Sequence, residues 1–157
     1  MKHILLITLA VTLLLPVSPT KGQPTAADGA VFVAYYWRAK PGQTDAYNQN
    51  IKTVAEPIDE DARRAGVFEE VRTVIPAPGT ATDWTHLRIF RLKNAAAEQA
   101  LAAGLDAATL RVVPDEHRRK ANSERSAGLR DLLRRGVDRA SLNTVECWSR
   151  LAGVAQW

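Results

Sequence analysis

The order of strand-like and helix-like segments constrains the fold of this chain more than any other feature of its sequence. Residues 31–37 are rich in β-branched and aromatic side chains, which predicts a β-strand. A helix is predicted over 44–65, because its apolar residues recur at intervals of three and four: Tyr47, Ile51, Val54, Ile58, Ala62 and Ala65. Thr44 is its expected N-cap. Pro57 has no backbone N–H and should kink or split this helix near Thr53.

The rest of the chain repeats this alternation. In chain order we predict a strand over 67–75, a loop over 76–83, a strand over 84–92, a helix over 95–103 capped by Asn94 and ended by Gly104, a helical turn over 105–110, a helix from Pro114 to about Arg135, and a strand over 145–151. The order strand–helix–strand, strand–helices–strand predicts an α+β, ferredoxin-like βαββαβ domain. Its four-stranded antiparallel sheet would carry helices on one face.

The amino terminus has the three parts of a secretory signal peptide. A basic start (Lys2, His3) precedes an apolar run over 4–15, which is too short to span a bilayer, and a stretch of small and polar residues follows. We expect cleavage after Gly22, so that residues 1–22 are the signal peptide, 23–30 a flexible leader and 31–157 one domain. Loss of Lys2 and Lys21 lowers the formal net charge from +4 to +2. Export to the periplasm or outside the cell is therefore predicted.

Several classes of protein are excluded by composition and by missing motifs. A single cysteine, Cys147, rules out a disulfide framework within the chain, and its place in an alternating apolar segment predicts burial. No dinucleotide fingerprint, P-loop, G-x-S-x-G turn, H-E-x-x-H helix or paired C-x-x-C occurs, so we predict no cofactor and no metal. Interleaved acids in the Arg-rich segment 114–139 favour a solvated helix over a nucleic-acid surface. Glu56, Asp59, Glu60 and Asp61 are interpreted as a solvated acidic patch.

The candidate site comes from the side chains expected on the open face of the sheet. If Leu87 and Ile89 point at the helices, the open face receives alternate residues of the third strand and of the second: Trp84, His86, Arg88 and Phe90, with Phe68, Glu70 and Arg72. The first strand adds either Phe32, Tyr36 and Arg38 or Val33, Tyr35 and Trp37, because both phases are apolar. This surface is typical of a subunit interface or a ligand site.

Three interpretations of this face remain open. The first is a homodimer interface, in which Glu70, Arg72 and Arg88 form cross-strand ion pairs. The second is a ligand site in which Arg72 or Arg88 binds a carboxylate. The third is catalysis, with His86 as proton acceptor. The predicted ligand-binding residues are Tyr36, Trp37, Arg72, Trp84, His86 and Arg88.

Three segments together resemble the dimeric α/β-barrel superfamily. They are Tyr35-Tyr36-Trp37-Arg38, the helix opening Lys40-Pro41-Gly42, and Trp84-Thr85-His86-Leu87-Arg88-Ile89-Phe90. Within it the pattern is similar to exported bacterial proteins of uncharacterised activity. The resemblance implies two ferredoxin-like protomers with their sheets face to face, and space for a small molecule between sheet and helices. Members include cofactor-independent monooxygenases and haem-degrading enzymes.

The resemblance transfers no catalytic residue to this chain. Haem-degrading members use an Asn, a Trp and a His, whereas here the first strand lacks Asn and the helix over 94–103 lacks His. The leading hypothesis is an exported homodimer of unassigned reaction that binds a small molecule between sheet and helices. The alternative is a cofactor-independent monooxygenase-like enzyme using His86, with Trp37, Trp84 and Arg88 shaping the site. A third hypothesis, an interaction protein using the Arg-rich helix, predicts salt-sensitive binding to polyanions.

Overall fold

The computed structural model describes residues 29–138, which form four strands and the helices between them. In chain order these are β1 (Val31–Ala39), α1 (Thr44–Asn50), a π-helical segment (Ile51–Ala55), α2 (Glu56–Arg64), β2 (Glu70–Val74), β3 (His86–Leu92), α3 (Ala95–Val112), α4 (Glu116–Leu129) and β4 (Arg130–Asp138). The predicted signal peptide, most of the predicted leader, Cys147 and the strand predicted over 145–151 lie outside the described residues.

The sheet has the topology predicted from the sequence. Its strands are all antiparallel and lie in the order β2-β3-β1-β4. The two central strands are therefore β1 and β3, each of which is followed by helices in the chain. This order and the βαββαβ succession define a ferredoxin-like α+β fold. The central strands bury most of their side chains, and they position the site described below.

The interruption predicted at Pro57 is confirmed, and it takes the form of a π-helical segment. Pro57 lies at the start of α2, directly after Ile51–Ala55. Because a π turn closes its hydrogen bonds one residue later than an α turn, it inserts a residue and rotates the following helix. After the insertion the buried positions of α2 are Asp59 and Ala62. The start of the helix differs slightly from the prediction, since Gln43 rather than Thr44 occupies the N-cap.

In the second half of the described residues, one helix is longer than predicted, and a segment predicted to be helical forms a strand. The predicted helix over 95–103 and the turn over 105–110 are a single helix, α3, which runs through Gly104. The absence of a side chain there allows a close approach, since a Cβ on Gly104 would lie 2.5 Å from Cγ1 of Val67. The helix predicted to reach Arg135 was wrong, because α4 ends at Leu129 and Arg130–Asp138 is β4.

Arginine side chains explain why this charged segment forms a strand. Guanidinium groups of β4 lie over aromatic rings of β1, at 3.4 Å from the Trp37 ring centre for Arg130 and 3.9 Å from that of Tyr36 for Arg134. Such contacts are favourable when the cation is partly desolvated. Arginines that looked like one solvated helix face therefore hold an outer strand against the sheet.

The two faces of the sheet are assigned opposite to the prediction for β3. Leu87 and Ile89 belong to a cluster with Phe32, Ala34, Tyr36 and Trp84 on the face away from the helices. Phe90 packs with helix residues, and the alternation of the strand puts His86 and Arg88 on that same side. The prediction assumed that the more apolar set would face the helices. It was wrong because polar groups on the helices and in the loop before β3 bind both ring nitrogens of His86 and the Nη2 atom of Arg88.

The open register of β1 is thereby resolved. Val33, Tyr35 and Trp37 are on the side of Phe90 and Arg88, whereas Phe32, Tyr36 and Arg38 are on the opposite side. On the second strand, Glu70 and Arg72 lie on the face away from the helices, as predicted. Phe68 does not, since it packs edge-to-face on Phe90 at 5.0 Å between ring centres.

Candidate functional site

A cavity of about 300 Å³ lies between the sheet and the helices. The sheet contributes aromatic rings and two arginines, and the helices contribute apolar atoms and two carboxyl groups. Its lining is Tyr35, Trp37, Phe90, Arg88, Arg130, Asp59, Asp106, Ala102 and Leu105. A concave, mostly apolar space with a few convergent polar groups is the usual form of a small-molecule site.

Arg88 and Asp59 form a buried ion pair in the wall of this cavity. Nη2 of Arg88 donates to Oδ2 of Asp59, and the two side chains are only 10% and 8% exposed. Burial raises the pKa of the Asp59 carboxyl, and the nearby Arg88 only partly offsets that effect. The other carboxylate oxygen, Oδ1, has no partner within residues 29–138. Asp59 therefore combines a fixed partner with an oxygen still able to accept a hydrogen bond.

Arg130 is a second cation of the same cavity, and it has no ion pair within the described part of the chain. Its guanidinium lies 3.4 Å from the ring centre of Trp37 and donates to the hydroxyl of Tyr47 at 3.2 Å. Burial lowers the pKa of Arg130, and the positive charge of Arg88 lowers it further. An arginine remains protonated at neutral pH even so. The two guanidinium groups are thus close enough to repel each other across the cavity.

His86 lies beside the cavity, fully buried, and is absent from its lining. Its Nε2 is 2.8 Å from Oδ1 of Asn48, and its Nδ1 is 2.9 Å from Oγ1 of Thr85. An amide oxygen can only accept, so Nε2 carries the proton and Nδ1 accepts from the Thr85 hydroxyl. The Tyr47 ring packs edge-on at 4.4 Å between ring centres. Burial, then the charge of Arg130, lowers the pKa of His86, which indicates a neutral, structural imidazole.

A second, more polar cavity of about 420 Å³ adjoins the first. The two share Asp59, Leu105, Asp106 and Arg130 in their walls. The remainder of its lining comes mainly from α1, α2 and the polar face of α4, and includes Asn50, Arg119, Asn122 and Ser126. Arg119 is held in place by the carbonyl oxygens of Val113 and Pro114. A ligand bound at the aromatic wall could therefore extend past Arg130 towards polar side chains.

Of the predicted ligand-binding residues, the structure brings only Trp37 and Arg88 together in the cavity. Tyr36 and Trp84 pack edge-to-face on the opposite side of the sheet, with ring centres 6.2 Å apart. Arg72 is also on that side, where it pairs with Glu70. The residues predicted to share one surface are thus divided between two faces.

Asp59 and Arg130 line the cavity but were not assigned to the candidate site from the sequence. Asp59 was assigned to a solvated acidic patch, although its position three residues before Ala62, a member of the apolar stripe, was a usable signal. The π-helical segment, which turns Asp59 inward, had no signal beyond Pro57. Arg130 was hidden inside the predicted third helix, and no local pattern distinguishes it from the neighbouring arginines.

Two features are absent from the described residues. Between residues 29 and 138 no group of three or more His, Cys, Asp or Glu side chains could hold a metal ion. No helix within that part of the chain is both long and apolar enough to cross a membrane.

Comparisons with known proteins find similarity only at the level of structure. No protein-family model matches the chain, and no curated protein matches it either. Among solved structures, HapK from Hahella chejuensis is 11% identical with a TM-score of 0.48, over 73% of this chain and 94% of that one. An EthD-like protein from Ralstonia eutropha is 13% identical with a TM-score of 0.47, over 76% and 98%.

SnoaB from Streptomyces nogalater, a cofactor-independent oxygenase, is 9% identical with a TM-score of 0.46, over 74% of this chain and 97% of its own. Likeness at this level carries no argument about the site. The fold assignment rests on the strand order, and the functional argument rests on the side chains of the cavity.

Proposed function

We propose that this protein binds a small molecule with an apolar, ring-containing body in the cavity between sheet and helices. The observation that carries the proposal is the cavity of about 300 Å³, walled by Tyr35, Trp37 and Phe90 and furnished with Arg88, Arg130 and Asp59. Aromatic walls provide contact area for a planar ring system. The polar groups then fix the orientation of the ligand, as in most small-molecule sites.

A matched pair of variants tests where the ligand binds. A panel of bicyclic aromatic compounds is screened against the wild-type protein by thermal shift and isothermal titration calorimetry. The compounds that bind are then measured with the variants Leu105→Trp and Leu110→Trp. Leu105 lines the cavity and Leu110 is exposed on the same helix. Filling the cavity with Leu105→Trp should abolish binding, and Leu110→Trp should preserve it. Binding that survives in Leu105→Trp, with the fold intact by circular dichroism, contradicts the proposal.

The proposal does not extend to proton transfer by His86. Both of its ring nitrogens are hydrogen-bonded to protein groups, and it does not line the cavity. If the cavity hosts a reaction, Asp59 is the better candidate proton acceptor, because its Oδ1 is free of protein partners within residues 29–138 and burial raises its pKa. Activity lost in Asp59→Asn but retained in His86→Gln would support that candidate.

We also propose that the protein is exported and forms a homodimer. Export is supported by the signal-like residues 1–22, and mass spectrometry of protein from the producing cells should find chains that begin at Gln23. An intact amino terminus would contradict it. Dimer formation is supported by β4, an outer strand of the described sheet that exposes Leu132 and Val137. Light scattering across micromolar concentrations tests it, and a strict monomer would contradict it.

A further inference from the structure

From the charges around the cavity, we infer that the ligand is a monoanion, a ring-containing carboxylate whose carboxylate group is bound by Arg130. This inference rests on the small-molecule site proposed above and adds the charge of its occupant. It depends on the buried side chains of Arg88 and Asp59 and on the half-buried side chain of Arg130.

The buried charges of the cavity do not balance. Arg88 is neutralised by Asp59, with both side chains nine-tenths buried. Arg130 has no carboxylate partner within residues 29–138, and it has lost enough hydration for burial to lower its pKa. A partly desolvated cation without a counter-ion is unfavourable. One negative charge bound next to Arg130 would offset this unfavourable free energy.

The guanidinium of Arg130 is also held in a fixed orientation. Trp37 supports one face of the group at 3.4 Å, and the Tyr47 hydroxyl accepts from Nη1 at 3.2 Å. Nε and Nη2 have no partner in the part of the chain that the structure describes. A planar fork with two unused donors matches the two oxygens of a carboxylate, and the ordering cost has already been met by folding.

The other charged and titratable groups around Arg130 do not change this balance. His86 is neutral, because burial and Arg130 both lower its pKa. Burial raises the pKa of Tyr47, so its hydroxyl stays protonated. Asp106 lines both cavities, but it is exposed and its charge is screened by solvent. Arg119 is half-buried, but it lines the adjoining cavity rather than this one. The Arg88–Asp59 pair and Arg130 therefore leave this cavity with a net charge of one positive unit.

Three probes with the same ring system separate charge from shape. They are 2-naphthoate, 2-naphthamide and 2-naphthylmethylamine, which carry charges of about −1, 0 and +1 at neutral pH. With the wild-type protein we expect naphthoate to bind about tenfold to a hundredfold more tightly than naphthamide, which is the usual effect of a charge-assisted hydrogen bond. The ammonium compound should bind most weakly. Calorimetry at low and moderate salt provides the dissociation constants.

Variants then assign the preference to Arg130. In Arg130→Gln the naphthoate-to-naphthamide ratio should fall towards one. In Arg72→Gln, which removes an arginine from the opposite face of the sheet, the ratio should be unchanged. Asp59→Asn raises the buried charge by one unit and should increase the ratio. If that variant fails to fold, the wild-type ratio and Arg130→Gln still decide the question.

The results that would overturn the inference differ from those that would overturn the proposed function. Equal affinity for naphthoate and naphthamide in the wild-type protein, or an unchanged ratio in Arg130→Gln, refutes the anion preference and leaves the cavity as a binding site. Failure of all three probes and of the wider aromatic panel to bind refutes both.

Discussion

Replacing either member of the buried Arg88–Asp59 pair should destabilise the protein by unequal amounts. Asp59→Leu leaves a guanidinium that cannot lose its proton in a site where the side chain is 10% exposed. Removing one member of a buried ion pair leaves the other charge buried and unpaired, which lowers the free energy of unfolding by about 3–5 kcal/mol. We expect Asp59→Leu to lower the free energy of unfolding by about 3 kcal/mol. This value is at the lower end of that range, because one side of the pair faces the cavity and water can enter there. That is a large part of the 5–15 kcal/mol roughly typical of a whole domain.

Arg88→Met should cost less than Asp59→Leu. Burial already raises the pKa of Asp59 despite its partner, so without Arg88 the carboxyl can take up a proton and become neutral. The same variant should therefore lose less stability at pH 5.5 than at pH 7.5. The double variant Arg88→Met/Asp59→Leu replaces both charges by apolar groups and should recover most of the loss in Asp59→Leu.

Urea unfolding followed by far-ultraviolet circular dichroism measures all four proteins of this double-mutant cycle. A loss below about 1 kcal/mol in Asp59→Leu would mean that the pair is hydrated, because exposed pairs contribute only that much. A double variant as unstable as the sum of the single ones would show that the two charges do not interact. Either result refutes the reasoning, including the buried charge balance on which the anion preference depends.

Other predictions concern His86 and two glycines. The folded-state pKa of His86 is lowered, so the unfolded chain binds more protons, and the free energy of unfolding should fall as pH drops below the ordinary histidine value of about 6.5. His86→Gln should lack this pH-dependent loss of stability. If urea unfolding gives the same pH profile for His86→Gln and for the wild-type protein, the prediction is contradicted. Gly104→Ala should lose about 1–3 kcal/mol against Val67 and regain part of it with Val67→Ala. Gly128→Ala, with open space at its Cβ, should gain up to about 1 kcal/mol. A thermal melt that ranks the two alanine variants equally would contradict the packing argument.

The sequence predicted the fold because strand and helix signals are local. The strand over 31–37, the helix interrupted at Pro57 and the cap at Asn94 depend on neighbours a few residues away, and the structure contains each of them. β4 could not be predicted in the same way. Arg130–Asp138 becomes a strand through contacts with aromatic rings almost one hundred residues earlier in the chain.

The candidate site was only partly predictable for a related reason. The rule that apolar residues face the helices failed in β3, where both faces are buried and the polar residues His86 and Arg88 face inward. Their partners, Asn48 and Asp59, lie on helices. The pattern of residues in a strand does not indicate how a neighbouring helix is rotated about its axis, so these partners could not be predicted from it. Trp37, which was selected by residue type, lines the cavity, but its main polar neighbour there is Arg130, which was predicted to lie in a helix rather than a strand.

Because of the π-helical segment at Ile51–Ala55, the charge of the cavity depends on the number of residues in the helix before Asp59 as well as on which residues line the cavity. One residue of an α-helix corresponds to a rotation of about 100°. Deleting a single residue from that segment would restore regular α-helix and turn position 59 out of the cavity, with every side chain of the site unchanged. Arg88 would then lose its counter-ion, and the pocket would carry two positive charges, on Arg88 and Arg130, with no carboxylate paired to either within the described residues. An insertion or deletion in a helix, rather than a substitution at the ligand, is therefore a direct way for such a fold to change the charge of the molecule it accepts.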